Sequence, residues 1–165
     1  MDNWFSTIGA IASIFGAFWA LYQANKAKKS AKKAEQMRDE LIQHRELVEL
    51  SQVHSETTRI LKIVSKVGPS CSQSQLRGIN CSNIAKDVEE YSRFINEQSS
   101  HFSEHFDNKA KDLCKNLAPD IEALSEAKSF EDKKKWGKSI YYKINNFMPT
   151  VKDLSDKKKE SVAKT

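Results

Sequence analysis

Apolar positions in this chain fall into blocks of different periodicity, and the first block is continuous rather than periodic. Residues Asn3 to Asn25 carry no charge, 23 positions in all. About 20 residues are enough to cross a hydrocarbon core of about 30 Å. From Trp4 to Tyr22 only Ser6, Thr7 and Ser13 are plainly polar, and a hydroxyl on a helix can bond back to its own backbone. Trp4 and Phe5 stand at one end and Trp19 and Tyr22 at the other, the placement of an interfacial aromatic belt. The pattern predicts one transmembrane helix within residues 1–25. A secretory signal peptide would need a basic start and a small-x-small cleavage site; the chain opens Met-Asp-Asn-Trp and no clear cleavage box follows.

Within that segment Gly9, Ala12, Ser13, Gly16, Ala17 and Ala20 form a stripe of small residues at helical spacing, while Ile8, Ile11, Phe15, Phe18 and Tyr22 form another. Small residues allow close backbone approach between transmembrane helices. Gly9, Ala12, Ser13, Gly16 and Ala20 are therefore the expected self-association face. The hydroxyls of Ser6, Thr7 and Ser13 offer a weaker case for a pore lined by several copies.

No Gly or Pro occurs between Gly16 and Gly68, a run of 51 residues. Its first half is dominated by strong helix formers, so the helix is expected to continue past the membrane. From Asn3 to Val67 it would measure about 97 Å. Ala34, Met37, Leu41, His44 and Val48 keep one 3/4 register; Leu47, Leu50, Thr57, Leu61 and Val64 keep another, with His54 in line. Neither is long enough for a coiled-coil assignment on sequence alone. Residues 26–46 read as a polar, basic stalk. From Leu47 onward Val53, Ile60, Ile63 and Val67 widen the stripe into a bundle-forming face.

Gly68-Pro69-Ser70 is predicted to end this helix, with a polar loop from Cys71 to Ser82. A second helix starts near Ser82 or Asn83 with Ile84, Val88, Tyr91 and Ile95 on one face, and breaks at Ser99-Ser100. Phe102, Phe106, Leu113 and Leu117 continue the spacing. Pro119 suits the first turn of a short helix carrying Ile121 and Leu124. Ser129-Phe-Glu-Asp132 resembles a capping box opening a helix with Trp136, Ile140, Ile144 and Phe147, which Pro149 should stop. A last capped segment and a flexible basic tail over 156–165 follow. The expected organisation is an anchor (1–25), a stalk (26–46), a helical bundle (47–155) and the tail. No stretch alternates at period two, so the fold class is all-α.

Composition sharpens this picture in two places. Three cysteines with no CxxC exclude a disulfide scaffold and fit a reducing compartment. Lys26, Lys28, Lys29, Lys32, Lys33 and Arg38 crowd one side of the uncharged segment, whereas Asp2 alone lies on the other. Positive-inside logic then places the N-terminus outside and the remainder in the cytoplasm, attached to the inner membrane. Residues 41–127 hold 10 basic and 13 acidic side chains, whereas 128–165 hold 11 and 5. The bundle's basic excess therefore lies in its last helices.

Candidate chemistry is sparse. His101-Phe-Ser-Glu104-His105 matches the HxxEH pattern of inverted zinc peptidases; on one helix both histidines would reach a single metal. No third ligand is marked and the chain is too short for a substrate chamber, so His101 and His105 remain weak metal candidates and the expected metal is none. Trp136-Gly137-Lys138-Ser139 has the end of a phosphate-binding P-loop but Asp132 where its first glycine belongs. Arg93 and His101 are too far apart for the ribonuclease pair of HEPN domains. Cys71 and Cys81 are expected as free thiols. Lys133, Lys134, Lys135, Trp136, Lys138, Tyr141, Tyr142 and Lys143 interleave cations with aromatic rings, the chemistry that receives a phosphate-bearing aromatic ligand. The plainer reading of that run is a solvated lysine face over a core. No cofactor is implied and no enzyme is predicted.

In chain order, size and charge distribution the sequence resembles the small membrane-anchored accessory effectors of type III CRISPR antiviral defence. Those proteins join a transmembrane segment to a cytoplasmic domain, oligomerise, and perturb the membrane when a cyclic oligoadenylate binds. The resemblance implies a homo-oligomer in the bilayer with a cyclic oligonucleotide as ligand and no long nucleic acid as partner. Several such effectors sense the nucleotide with an α/β domain, which this strand-free sequence lacks. Two other expectations fit the same layout: a tethered adaptor docking a protein partner, and a lysis-type pore-forming toxin.

Overall fold

The computed structural model describes the backbone of residues 3–163 and the side chains of 13, 16 and 18–160. Among the described residues every regular element is helical: α1 (Asn3–Val64), a 3₁₀ turn (Ser65–Val67), α2 (Gln73–Leu76), α3 (Cys81–Ser99), α4 (Glu104–Glu126) and α5 (Phe130–Ala163). Contacts divide the chain between His44 and Arg45. The first unit is helical, and Phe18, Trp19, Leu21, Tyr22, Met37, Leu41 and Ile42 are exposed along it. No helix among the described residues is long and apolar enough to cross a membrane; most side chains of the transmembrane segment expected over 1–25 lie outside the described ones. Gly9 and Ala12 of the expected self-association face lie outside the described side chains; Ser13, Gly16 and Ala20 are exposed.

The second unit is a bundle of the last turns of α1 with α3, α4 and α5. On α1, Leu50, Val53, Thr57, Ile60 and Val64 are buried at 3/4 spacing. Leu47 and Leu61, which the sequence register placed on the inward stripe, are half-buried at its edge. Ile84, Val88, Tyr91 and Ile95 face them from α3, Phe106, Leu113, Leu117 and Leu124 from α4, and Ile140, Ile144, Phe147 and Val151 from α5. Thr57 Oγ1 donates to the Val53 carbonyl at 2.7 Å and lies 3.1 Å from the Tyr91 hydroxyl. With the threonine proton already used, Tyr91 is the donor in that second bond. Burial pushes its phenol far above the ordinary value, so it stays a neutral donor.

Local chemistry sets the helix ends. Asn80 Oδ1 accepts from the amides of Ser82 and Asn83, and Ser103 Oγ from that of Phe106. Ser129 Oγ accepts from the Asp132 amide at 3.0 Å and donates to its carboxylate at 2.7 Å, which makes the first half of the expected capping box; the carboxylate takes the serine hydroxyl where a full box would take the serine amide. The polar loop differs from expectation. It contains α2, started where the Gln75 side chain accepts the Ser72 amide at 2.8 Å, and it buries Cys71, Leu76 and Cys81. Gly78 has a φ of 84°, a conformation that costs a glycine little.

Both prolines expected to bound helices lie inside them. Pro119 is within α4 and Pro149 within α5. A mid-helix proline costs about 3 kcal/mol through its missing N–H and its clash with the preceding turn. Each stands on an exposed face, as do Lys115 and Asn145 four residues earlier, so water can serve the freed carbonyls. Beyond them Leu124 and Val151 are fully buried, each such side chain being worth about 1.5–3 kcal/mol. The tail expected from 156 is helical as far as Ala163. Within the bundle, Lys158 pairs with Glu46 while Gly137 meets Val67, so α5 runs antiparallel to α1.

A Cβ at Gly137 would sit 2.3 Å from the Val67 carbonyl oxygen and 2.6 Å from its side chain. Gly137→Ala is expected to destabilise the bundle by about 3 kcal/mol, seen as a lower urea midpoint with an unchanged m-value. Gly78→Ala should cost less, because only its backbone conformation is strained.

Candidate functional site

The basic-aromatic run occupies the first turns of α5. Helical periodicity divides it into two sets. Trp136 and Tyr141 turn toward the core and are half-buried against it. Lys135, Lys138 and Tyr142 are exposed, and Lys133 and Lys134 are intermediate. Lys134 Nζ lies 5.7 Å from the Phe130 ring centre, Lys135 Nζ 4.5 Å from Trp136 and Lys138 Nζ 5.9 Å from Tyr142. Tyr141 and Tyr142 meet edge to face at 5.8 Å. Cation–π contacts of this exposed kind contribute about 0.5–1 kcal/mol each. Among the described residues Lys133, Lys134, Lys135 and Lys138 make no ion pair. The face is lysine-rich, with Glu131 and Asp132 in the same first turn of α5, and its rings are already shared with its own lysines.

Lys143 belongs elsewhere. Its ammonium lies 2.7 Å from the buried Asp120 carboxylate and 2.7 Å from the Asn116 carbonyl. Asp120 occupies an inward position on α4, and a buried carboxylate needs a paired charge. Lys143 therefore joins α4 to α5 and is not part of the free cationic set.

The two histidines do not share a helix. Ser103 caps α4, so His101 lies in the preceding turn while exposed His105 is on the first helical turn. His101 Nδ1 lies 3.4 Å from Glu49 Oε2. Among the described residues no group of three His, Cys, Asp or Glu side chains converges for a metal ion. Glu49 also accepts from Arg45 Nε at 2.8 Å. The Arg45 hydrogen bond, outweighing desolvation and aided by the charges of Arg45 and His101, holds the Glu49 carboxyl below its usual 4.5. Asp107 is lowered in the same direction by Lys111 and by the Ser99 hydroxyl. Cys71, Cys81 and Cys114 are free, with burial raising the thiols of Cys81 and Cys114.

Sequence reasoning missed a groove of about 650 Å³ on the outer side of the α3–α4 pair. Ala85, Cys114, Ala118 and Ile121 form its floor, with Arg93 and Glu122 among the charged side chains at its rim. Cys114 Sγ donates to the Ser92 carbonyl at 3.2 Å, and Ser82 Oγ to that of Ser125 at 3.1 Å. The available signal was the small side chain at facing positions of both helices, which leaves room between them.

Lys143→Met is expected to cost about 3 kcal/mol by stranding Asp120. Lys135→Met and Lys138→Met should stay within about 0.5 kcal/mol; urea unfolding of the three variants checks this. A carboxyl lowered in the fold stabilises it above the ordinary carboxyl value and loses that contribution as pH falls through the folded value. Glu49→Gln should therefore flatten the acid limb of the stability–pH curve and leave its alkaline limb parallel to wild type. No family model, curated protein or solved structure matches the chain.

Proposed function

We propose that this chain is a single-pass membrane effector whose helical bundle senses an anionic, nucleotide-type signal. The observation that carries the reading is the α5 face. Four lysines without ion-pair partners among the described residues lie among exposed and half-buried rings at one end of the bundle. Phosphates would replace water around Lys133, Lys134, Lys135 and Lys138, and a base would take the exposed ring of Tyr142. Membrane attachment rests on the uncharged run from Asn3 to Asn25 and its lysine flank, and is supported by the exposure of Phe18, Trp19 and Tyr22. The lysine flank orients the bundle toward the cytoplasm. Oligomerisation and perturbation of the bilayer on ligand binding complete the proposal, with antiviral defence as its setting by resemblance of layout. The ligand must bind two states of the oligomer with different affinity to drive such a change.

A tethered adaptor is the second reading, favoured by the apolar floor of the α3–α4 groove.

Full-length protein is expected in the high-speed pellet, resistant to alkaline carbonate. Calorimetric titration with cyclic oligoadenylates should give heat that Lys135→Glu/Lys138→Glu weakens at least about tenfold, each charge-assisted hydrogen bond being worth about 1.5–3 kcal/mol. Silence across the series removes the nucleotide reading. A stoichiometric protein partner retained by that double variant and lost in Ala118→Glu supports the adaptor instead.

A further inference from the structure

Ala34, Met37, Leu41, His44 and Val48 follow spacings of 3, 4, 3 and 4 along α1, and all are exposed. Met37 is 55% exposed and Leu41 69%. In heptad terms Ala34, Leu41 and Val48 take the a position and Met37 and His44 the d position. Through small and polar residues the same spacing runs back to Ala20 and Gly16. Leu50 and Val53, which begin the buried stripe of the bundle, lie off this register. Apolar residues placed this way are the seam of a two-stranded coiled coil.

We infer that this seam docks on the same seam of a second copy of the chain, parallel and in register. Charge selects both the partner and its direction. In a parallel pair each g position faces the e position five residues later in the other helix, which sets Glu40 against Arg45 of the second copy. Arg45 already holds Glu49 at 2.8 Å, so Glu40 would complete a carboxylate–guanidinium–carboxylate set. Lys33 against Arg38 is the unfavourable pair of the same arrangement, and it lies toward the end where the seam residues are small. An antiparallel pair instead brings Arg38 against Arg45 and separates Glu40 from both. Burying Met37, Leu41 and Val48 from each copy supplies the attraction, while the small residues before Ala34 let the helices approach. The proposal deepens the membrane-effector reading and rests on it for one point: two chains inserted in one bilayer in the same orientation can only pair parallel through this segment.

Oxidative cross-linking of full-length protein in membranes tests it. Met37→Cys and His44→Cys are each expected to form covalent dimers, because in-register layers place like residues together. Asp39→Cys, on the outer f position, reports random collision, and the wild-type chain reports its native thiols. Adding Leu41→Glu to Met37→Cys should cut the dimer about tenfold, the equivalent of roughly 1.4 kcal/mol. These positions belong to an exposed helix face, so the substitutions leave the bundle core untouched. Cross-linking of Met37→Cys and His44→Cys no greater than that of Asp39→Cys overturns the seam. Dimers formed only when the two variants are mixed overturn the parallel register. Fractionation before oxidation separates the two proposals: monomers in the membrane pellet overturn the seam and leave the anchor, whereas seam-specific dimers in the supernatant uphold the seam and overturn the anchor.

Discussion

Val67 lies directly on the backbone of α5 at Gly137, and this close approach sets the register of α5 against the 3₁₀ turn that ends α1. With α5 antiparallel from that point, Ile140, Ile144, Phe147 and Val151 pass along the inward stripe of α1, and Lys158 arrives beside Glu46. Any side chain at position 137 would push α5 outward and open the layers built on it. The thiols of Cys71 and Cys81 and the side chain of Leu76 close this end of the core. Close packing makes such a contact an all-or-none constraint rather than one of many small contributions.

The polar groups inside the bundle are few, and most serve to position helices. Tyr91 donates to Thr57 across α3 and α1, and Lys143 neutralises Asp120 across α5 and α4. Ser99 donates to Asp107 at 2.7 Å across the turn between α3 and α4, beside the Glu49–His101 contact. Each of these buried or half-buried groups joins two elements, so the core specifies which helix lies against which as well as how much apolar surface is hidden. The same logic separates Lys143 from its neighbours on α5, where Lys133, Lys134, Lys135 and Lys138 make no ion pair among the described residues.

Function on this account is divided along the chain. The uncharged N-terminal run carries the case for attachment, the exposed seam around Leu41 for pairing, and the α5 face for a signal. A ligand on α5 and a second copy on α1, as proposed, would bear on a common helix system, because α5 packs against the turns of α1 from Arg45 onward. Coupling between them requires two packed arrangements of that bundle with different ligand affinity.

Much of this was legible from residue order alone. Helix identity followed from the 3/4 spacing of Leu50, Thr57 and Val64 and from the absence of Gly and Pro over the long first helix; the start of α5 followed from Ser129, whereas α3 begins at Cys81, just before the expected Ser82 or Asn83, because Asn80 caps it. Local chemistry determines such features because every participant lies within a turn. What tertiary structure decided depends on partners distant in sequence. Pro119 and Pro149 remain inside helices because burial of Leu124 and Val151 beyond them offsets the broken hydrogen bond. His101 falls outside the helix of His105 because Ser103 caps α4, and it is met by Glu49 from α1. Lys143 parts from its neighbouring lysines because Asp120 on another helix needs a counter-charge. One-dimensional spacing tells which face a residue occupies; only the packed bundle supplies what stands opposite that face.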